Sequence, residues 1–197
     1  TETCNVCIDE RENQWRAYPV LYIVNDIRGR DLRTYEVGAG RVSFYRHGED
    51  MQRVIDEFIT WGEDEHCIPI ICAYNLMFDL QPLMYELNER WDMVVSAQSA
   101  TSAYTVDIVQ DGAVKLRFWD TFYLEMRGLA KMGETCGLPK AVGDWDYSKV
   151  RTPETPLTDE ELYYAGRDTE VIPAYLRYLL ESNEWLQPEW LGVRVLT

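Results

Sequence analysis

The chain is 197 residues long, 46% hydrophobic and 13% aromatic, with a formal net charge of −15. That length suffices for one domain with a full core, and the composition excludes a disordered chain. No apolar run approaches the ~20 residues that cross a bilayer, no signal-peptide pattern opens the sequence, and so many carboxylates repel nucleic acid unless divalent metal or basic surface offsets them.

The sequence starts at Thr1 rather than Met, and the expectation is a processed chain or a segment of a longer one. Cys4, Cys7, Cys67, Cys72 and Cys136 form an odd set without a regular framework, which points to a reducing compartment. Cys4-x-x-Cys7 could join Cys67 and Cys72 in a zinc site, but Cys72 lies within an apolar strand pattern.

Taken in order, Tyr18 to Ile27 is apolar on both faces, as a central strand is. Leu32 to Val37 and Val42 to Tyr45 read as two further strands joined by Gly38-Ala39-Gly40, which makes an antiparallel meander. Met51, Val54, Ile55, Phe58 and Ile59 recur at helical spacing, with Gly62 placed to stop the helix. Ile68 to Tyr74 reads as a buried strand, followed by a helical pattern through Leu83, Met84 and Leu87. Met93 to Ala103 is mostly small or polar and reads as a surface segment.

Two alternating runs, Tyr104-Val106-Ile108 and Val114-Leu116-Phe118, flank Asp111-Gly112, the signature of a tight hairpin. Asp120-Thr121 closes the second strand, a helical stretch carries on to about Cys136, and 137–156 is loop-like. Thr158 with Glu161 forms a capping box for a last helix. Within that helix Gly166 suggests a close backbone approach, and Pro173 should kink or divide it. This order predicts a mixed sheet with helices on its faces.

Chemistry concentrates in three places: Glu2-Thr3, Asn75-x-x-Phe78-Asp79 at a strand end, and Tyr164-x-x-x-Asp168 on the last helix. The last pair shares one helix face. Separated carboxylates plus a tyrosine suit two-metal phosphodiester hydrolysis, in which two ions about 4 Å apart clamp the attacking and leaving oxygens. Hard oxygen ligands select Mg²⁺ or Mn²⁺, and a tyrosine hydroxyl can orient the attacking water. Elsewhere the bland readings hold: His47 and His66 as ordinary polar histidines, Asp144 and Asp146 as loop-forming residues, and the tryptophans as packing groups.

These motifs resemble those of the 3′–5′ exonuclease domain of family B DNA polymerases, in particular the protein-primed polymerases of phages. That family's motifs are Asp-x-Glu-Thr, Asn-x-x-Phe-Asp and Tyr-x-x-x-Asp. The run Gly143-Asp144-Trp145-Asp146-Tyr147-Ser148-Lys149, then Arg151, is similar to the stretch between its second and third motifs, and Asp120-Thr121-Phe122 to its Asp-Ser-Leu segment.

The resemblance implies an α/β, ribonuclease-H-like mixed sheet flanked by helices, with 1–197 as a single exonuclease domain of a longer polymerase in a bacterial or phage-infected cytoplasm. It implies Glu2, Asp79 and Asp168 as ligands of two Mg²⁺ or Mn²⁺ ions, and Tyr164 as the water-orienting residue. Thr3, Asn75, Phe78, Thr121 and Phe122 would hold the 3′ end of single-stranded DNA. The rest of a polymerase chain and a terminal priming protein are implied partners.

Two positions depart from the pattern. The family's first Asp would stand just before Thr1, and Val142 occupies the place of its lysine. The expectation for this sequence as it stands is weak or absent hydrolysis. A stand-alone DNA or RNA nuclease, and an inactive domain that guides a strand, are the alternatives.

Overall fold

The computed structural model describes residues 2–9, 14–28, 30–46, 49–99, 101–139, 141, 145–146, 149–151, 155–183 and 186, with backbone alone for 2–9, 14–20, 46 and 49–50. The side chains of Glu2, Thr3, Cys4 and Cys7, together with His47, Lys140, 142–144, 147–148 and most of the terminal segment, therefore lie outside what is described.

Two sheets carry the fold. The first is an antiparallel meander of β1 (Glu2–Asp9), β2 (Gln14–Asp26) and β3 (Arg41–Arg46). A meander is what the sequence predicts, but not from Leu32 to Val37, which is no strand. Asp31 accepts the Arg33 N–H and caps a short 3-10 turn, Leu32–Thr34, and it is Leu32 and Tyr35 that are buried. That spacing of three turns a side chain pair to one side of a helical turn, where a strand would alternate.

The second sheet has the order β4-β7-β6-β5, from β4 (Ile70–Ala73), β5 (Asp92–Ser99), β6 (Ser102–Gln110) and β7 (Ala113–Asp120). β4 pairs with β7 in parallel and the other pairs are antiparallel, so the sheet is mixed. Asp111 and Gly112 both take positive φ, 52° and 74°, as a two-residue hairpin turn demands. Met93 to Ser99 lies at the surface as the sequence suggests, but as the strand β5. It is an edge strand with almost every residue exposed, so it lacks the apolar alternation that reveals a strand.

Helices cover the sheets. α1 (Glu49–Asp64) buries Met51, Val54, Ile55, Phe58 and Ile59 against Val106, Ile108, Leu116 and Phe118 of the second sheet. Each such side chain contributes about 1.5–3 kcal/mol on burial. Leu76, Leu80, Leu83 and Leu87 from α2 (Leu76–Leu80), α3 (Met84–Arg90) and the turn between them complete this core.

Gly62 does not end α1. His66 does, with φ 53°, while Cys67 N–H donates to the Gly62 carbonyl and His66 N–H to that of Glu63. This is a Schellman cap with His66 in the position usually given to Gly. Gly62 serves packing instead, because a Cβ there would lie 2.5 Å from Pro69 Cδ.

α4 (Leu129–Thr135) lies beside α5 (Asp159–Ser182), which opens with the expected Thr158–Glu161 capping box. α5 is not divided at Pro173. Proline leaves the carbonyl four residues earlier without its helical donor. That carbonyl belongs to Thr169, and Asn25 Nδ2 from β2 lies 3.5 Å from it. Gly166 is buried, but a Cβ would meet only ordinary contacts, Val42 Cγ1 at 3.5 Å and Phe44 Cζ at 3.6 Å. The close approach expected there is absent.

Candidate active site

β4 and β7 end together. Ala73 and Asp120 face each other in register at the carboxyl ends of the parallel pair, the edge where an α/β sheet leaves a crevice. Asp120 is 3% exposed and its carboxylate accepts three backbone N–H groups: Phe122 at 2.9 Å, and Asn75 and Leu76 at 3.0 Å each. Beside it the Thr121 hydroxyl donates to the Ala73 carbonyl at 2.9 Å. The segment after β7 is thereby tied to the segment after β4.

Between them Asn75 adopts φ 61° and ψ 59°. Asn tolerates this left-handed conformation far better than a branched residue, and it lets α2 begin at once. Leu76 and Leu80, one turn apart, enter the core. Phe78 is 45% exposed, Asn75 is exposed and Asp79 is half-buried, so the polar and aromatic members of the motif sit on the outward side of a firmly anchored turn.

Tyr164 and Asp168 lie one turn apart on α5, both half-buried, and one Asp168 carboxylate oxygen is fully enclosed. Tyr164 packs against a small cluster of Leu21, Trp145 and Ala165. Leu21 is the register partner of Glu2. The backbone carrying the first motif and the helix carrying the third are thus held by the same few apolar residues.

Trp145 is itself fixed from outside. The Arg151 guanidinium stacks over its ring at 4.3 Å, bonds the Glu161 carboxylate at 2.6 Å, and donates to the Asp146 and Lys149 carbonyls. Arg151 is fully buried. Burial alone would raise the Glu161 pKa, but hydrogen bonds and charge from Arg151, with the Thr158 N–H, hold it below the usual 4.5.

The structure thus joins Asn75, Phe78, Asp79, Thr121 and Phe122 at one sheet edge, and Tyr164 and Asp168 on one helix face beside the Glu2 register position. Thr121 is fully buried, with its hydroxyl spent within the protein. Sequence reasoning missed what supports these groups. There Asp120 closes a strand and opens the Asp-Thr-Phe segment, and Arg151 follows the Gly143 to Lys149 run, but neither is read as a support for the site. The available signals are Asp directly before Thr-Phe for the first and the downstream capping Glu161 for the second.

Among the described residues, no group of three or more His, Cys, Asp or Glu side chains could hold a metal ion. Asp79 and Asp168 offer two carboxylates, and the third position, Glu2, has a side chain outside that set. Their donor chemistry, oxygen alone, fits Mg²⁺ or Mn²⁺ and not a soft metal. Burial raises the Cys72 thiol to about 12, which keeps it protonated. Among the described residues no helix is long and apolar enough to cross a membrane.

The fold is that of an α/β domain with a mixed four-stranded sheet flanked by helices. Among solved structures it is similar to phi29 DNA polymerase bound to primer-template DNA and incoming nucleotides, with a TM-score of 0.62 at 16% identity. The match covers 92% of this chain and 30% of that one. An orthorhombic crystal form of the same polymerase matches with TM-score 0.62 at 18% identity over 91% and 30%. Its complex with single-stranded DNA matches with TM-score 0.53 at 17% identity over 83% and 31%. The chain therefore spans about 30% of the length of these polymerases. No family profile matches the sequence, and no curated protein does.

Proposed function

We propose that this chain is the 3′–5′ exonuclease domain of a family B, protein-primed type of DNA polymerase, which trims the 3′ end of single-stranded DNA. The observation that carries this reading is the placement of the motifs on the fold. Asn75 to Asp79 follows the carboxyl end of the parallel pair, and Tyr164 and Asp168 share a face of the helix beside the Glu2 strand, in a fold similar to part of phi29 DNA polymerase.

In this reading Glu2, Asp79 and Asp168 hold two Mg²⁺ or Mn²⁺ ions. When bound, the ions supply Lewis-acid stabilisation of the phosphate oxygens. The rest falls to the chain itself. Tyr164 orients the attacking water through its hydroxyl. Asn75 and Thr3 hydrogen-bond the terminal nucleotide. Phe78, exposed beside Asp79, stacks against or wedges the last base, a contact worth ~1–3 kcal/mol. Thr121 acts indirectly by pinning the end of β4, and Phe122 lines the path of the strand.

The test is hydrolysis of single-stranded DNA by the chain extended with one N-terminal Asp, compared with Asp79→Asn in the same background. The expected outcome is Mn²⁺-dependent cleavage that falls by about 10²-fold or more in the variant, since a metal clamp is worth several kcal/mol in the transition state. Equal activity of the two proteins would reject the assignment.

A further inference from the structure

Phe122 does not stand alone at the edge of the site. Its ring meets Tyr74 edge-on at 5.8 Å and Tyr123 at 5.4 Å, and Tyr123 meets Tyr104 of β6 at 4.4 Å. Four aromatic rings thus form an unbroken row that leads from the turn after β4 out along the second sheet. Two of its members are anchored by polar contacts. The Tyr74 hydroxyl donates to the Arg127 carbonyl, and the Tyr123 hydroxyl contacts that of Ser102. The row is not core: Tyr104 is 40% exposed, and Tyr74, Phe122 and Tyr123 are only partly covered. Nor is it a cationic groove. Arg127 beside it is engaged by Glu125 at 3.2 Å, on a chain of net charge −15.

Aromatic rings in series accept bases of any sequence by stacking, and they do so without the phosphate contacts that an acidic surface cannot supply. From this row we infer a track for the single strand upstream of its 3′ end, on which Tyr123 and Tyr104 receive nucleotides that the cleavage site does not touch. The inference rests on the exonuclease reading for the position of the 3′ end, beside Asn75 and Phe78. From there the strand passes Phe122, then Tyr123, then Tyr104. Tyr104 is the outermost contact, so only a strand of several nucleotides reaches it.

The test compares two fluorescent oligothymidylates, one of about three nucleotides and one of about ten, the longer falling within the span that a stacking groove occupies. Their binding to the chain extended with one N-terminal Asp is measured by anisotropy with Ca²⁺ in place of the catalytic metals, and cleavage of the short oligonucleotide by the same protein is assayed separately with Mn²⁺. In Tyr104→Ala the preference for the longer strand over the shorter should fall about tenfold, the usual scale for loss of one stacked base. Tyr104→Phe, which keeps the ring, should retain the preference. A preference that stays at its original value in Tyr104→Ala overturns the track, while cleavage of the short strand would leave the exonuclease reading standing. Failure of the chain both to bind either strand and to cleave would overturn both.

Discussion

At Asp120 one carboxylate accepts N–H groups from the segments after β4 and after β7, so a change of two atoms there reaches both. In Asp120→Asn the amide retains one acceptor and turns an NH₂ toward a backbone donor. The expected loss is about 1–3 kcal/mol, seen as a lower urea midpoint at unchanged slope, together with weaker DNA cleavage. Arg151 gives a second residue-scale prediction. Arg151→Met removes the shorter of the two ion pairs of Glu161, leaving Lys149 at 3.7 Å, and takes the guanidinium off the Trp145 ring; breaking a buried pair costs about 3–5 kcal/mol.

The pH dependence follows from the same pair. Glu161 has a lowered pKa in the folded protein, so its contribution is complete above its ordinary value of 4.5 and disappears as the pH falls through the lower folded value. Unfolding measured across that window should show a steeper acid limb in the unaltered protein than in Arg151→Met. Residues of this kind were the least legible in the sequence. Asp79, Tyr164 and Asp168 stand out through their spacing, whereas Asp120 and Arg151 act through partners tens of residues away or through backbone groups, which carry no side-chain signature.

Two helix glycines separate at the scale of elements. Gly62 sits where a Cβ would overlap Pro69, so Gly62→Ala is expected to destabilise by about 1–3 kcal/mol through overpacking. Gly166 has room for a methyl group, so Gly166→Ala should be neutral or stabilise by up to about 1 kcal/mol through helix propensity. Thermal unfolding of the two variants distinguishes them directly. The sequence alone suggests opposite roles, a stop for the first and a close approach for the second. Periodicity locates a helix face well, but it does not reveal which neighbour lies across it.

The same limit explains the other differences. The capping box at Thr158 and the hairpin at Asp111-Gly112 are local, and both are plain in the residues. The end of α1 at His66 and the continuity of α5 through Pro173 depend on a non-glycine left-handed residue and on Asn25 from another strand. The edge strand β5 escapes notice because exposure on both faces removes the alternation. Asn25→Ala should lower stability by about 1 kcal/mol, measurable by urea unfolding, as the Thr169 carbonyl loses its nearby donor.

Taken as a whole, the molecule carries a net charge of −15 yet is proposed to hold a polyanion. Stacking on Phe78, Phe122 and the tyrosine row reconciles the two, with divalent ions offsetting charge only at the cleaved phosphate. Proteins that rely on 6–10 phosphate contacts lose about 10³–10⁵ in affinity between 50 and 200 mM salt. Binding of single-stranded DNA by this chain should change by less than about tenfold over that range. A steep salt dependence would indicate that basic side chains rather than stacking carry the binding.

The central claim is the direction and chemistry of attack. It is tested most directly by following a 5′-labelled single strand and its 3′-labelled counterpart with the Asp-extended chain and Mn²⁺. The 5′-labelled strand is expected to shorten one nucleotide at a time, while the 3′-labelled strand releases its label at once as a mononucleotide. Internal fragments, shortening from the 5′ end, or a strand that stays intact would contradict it.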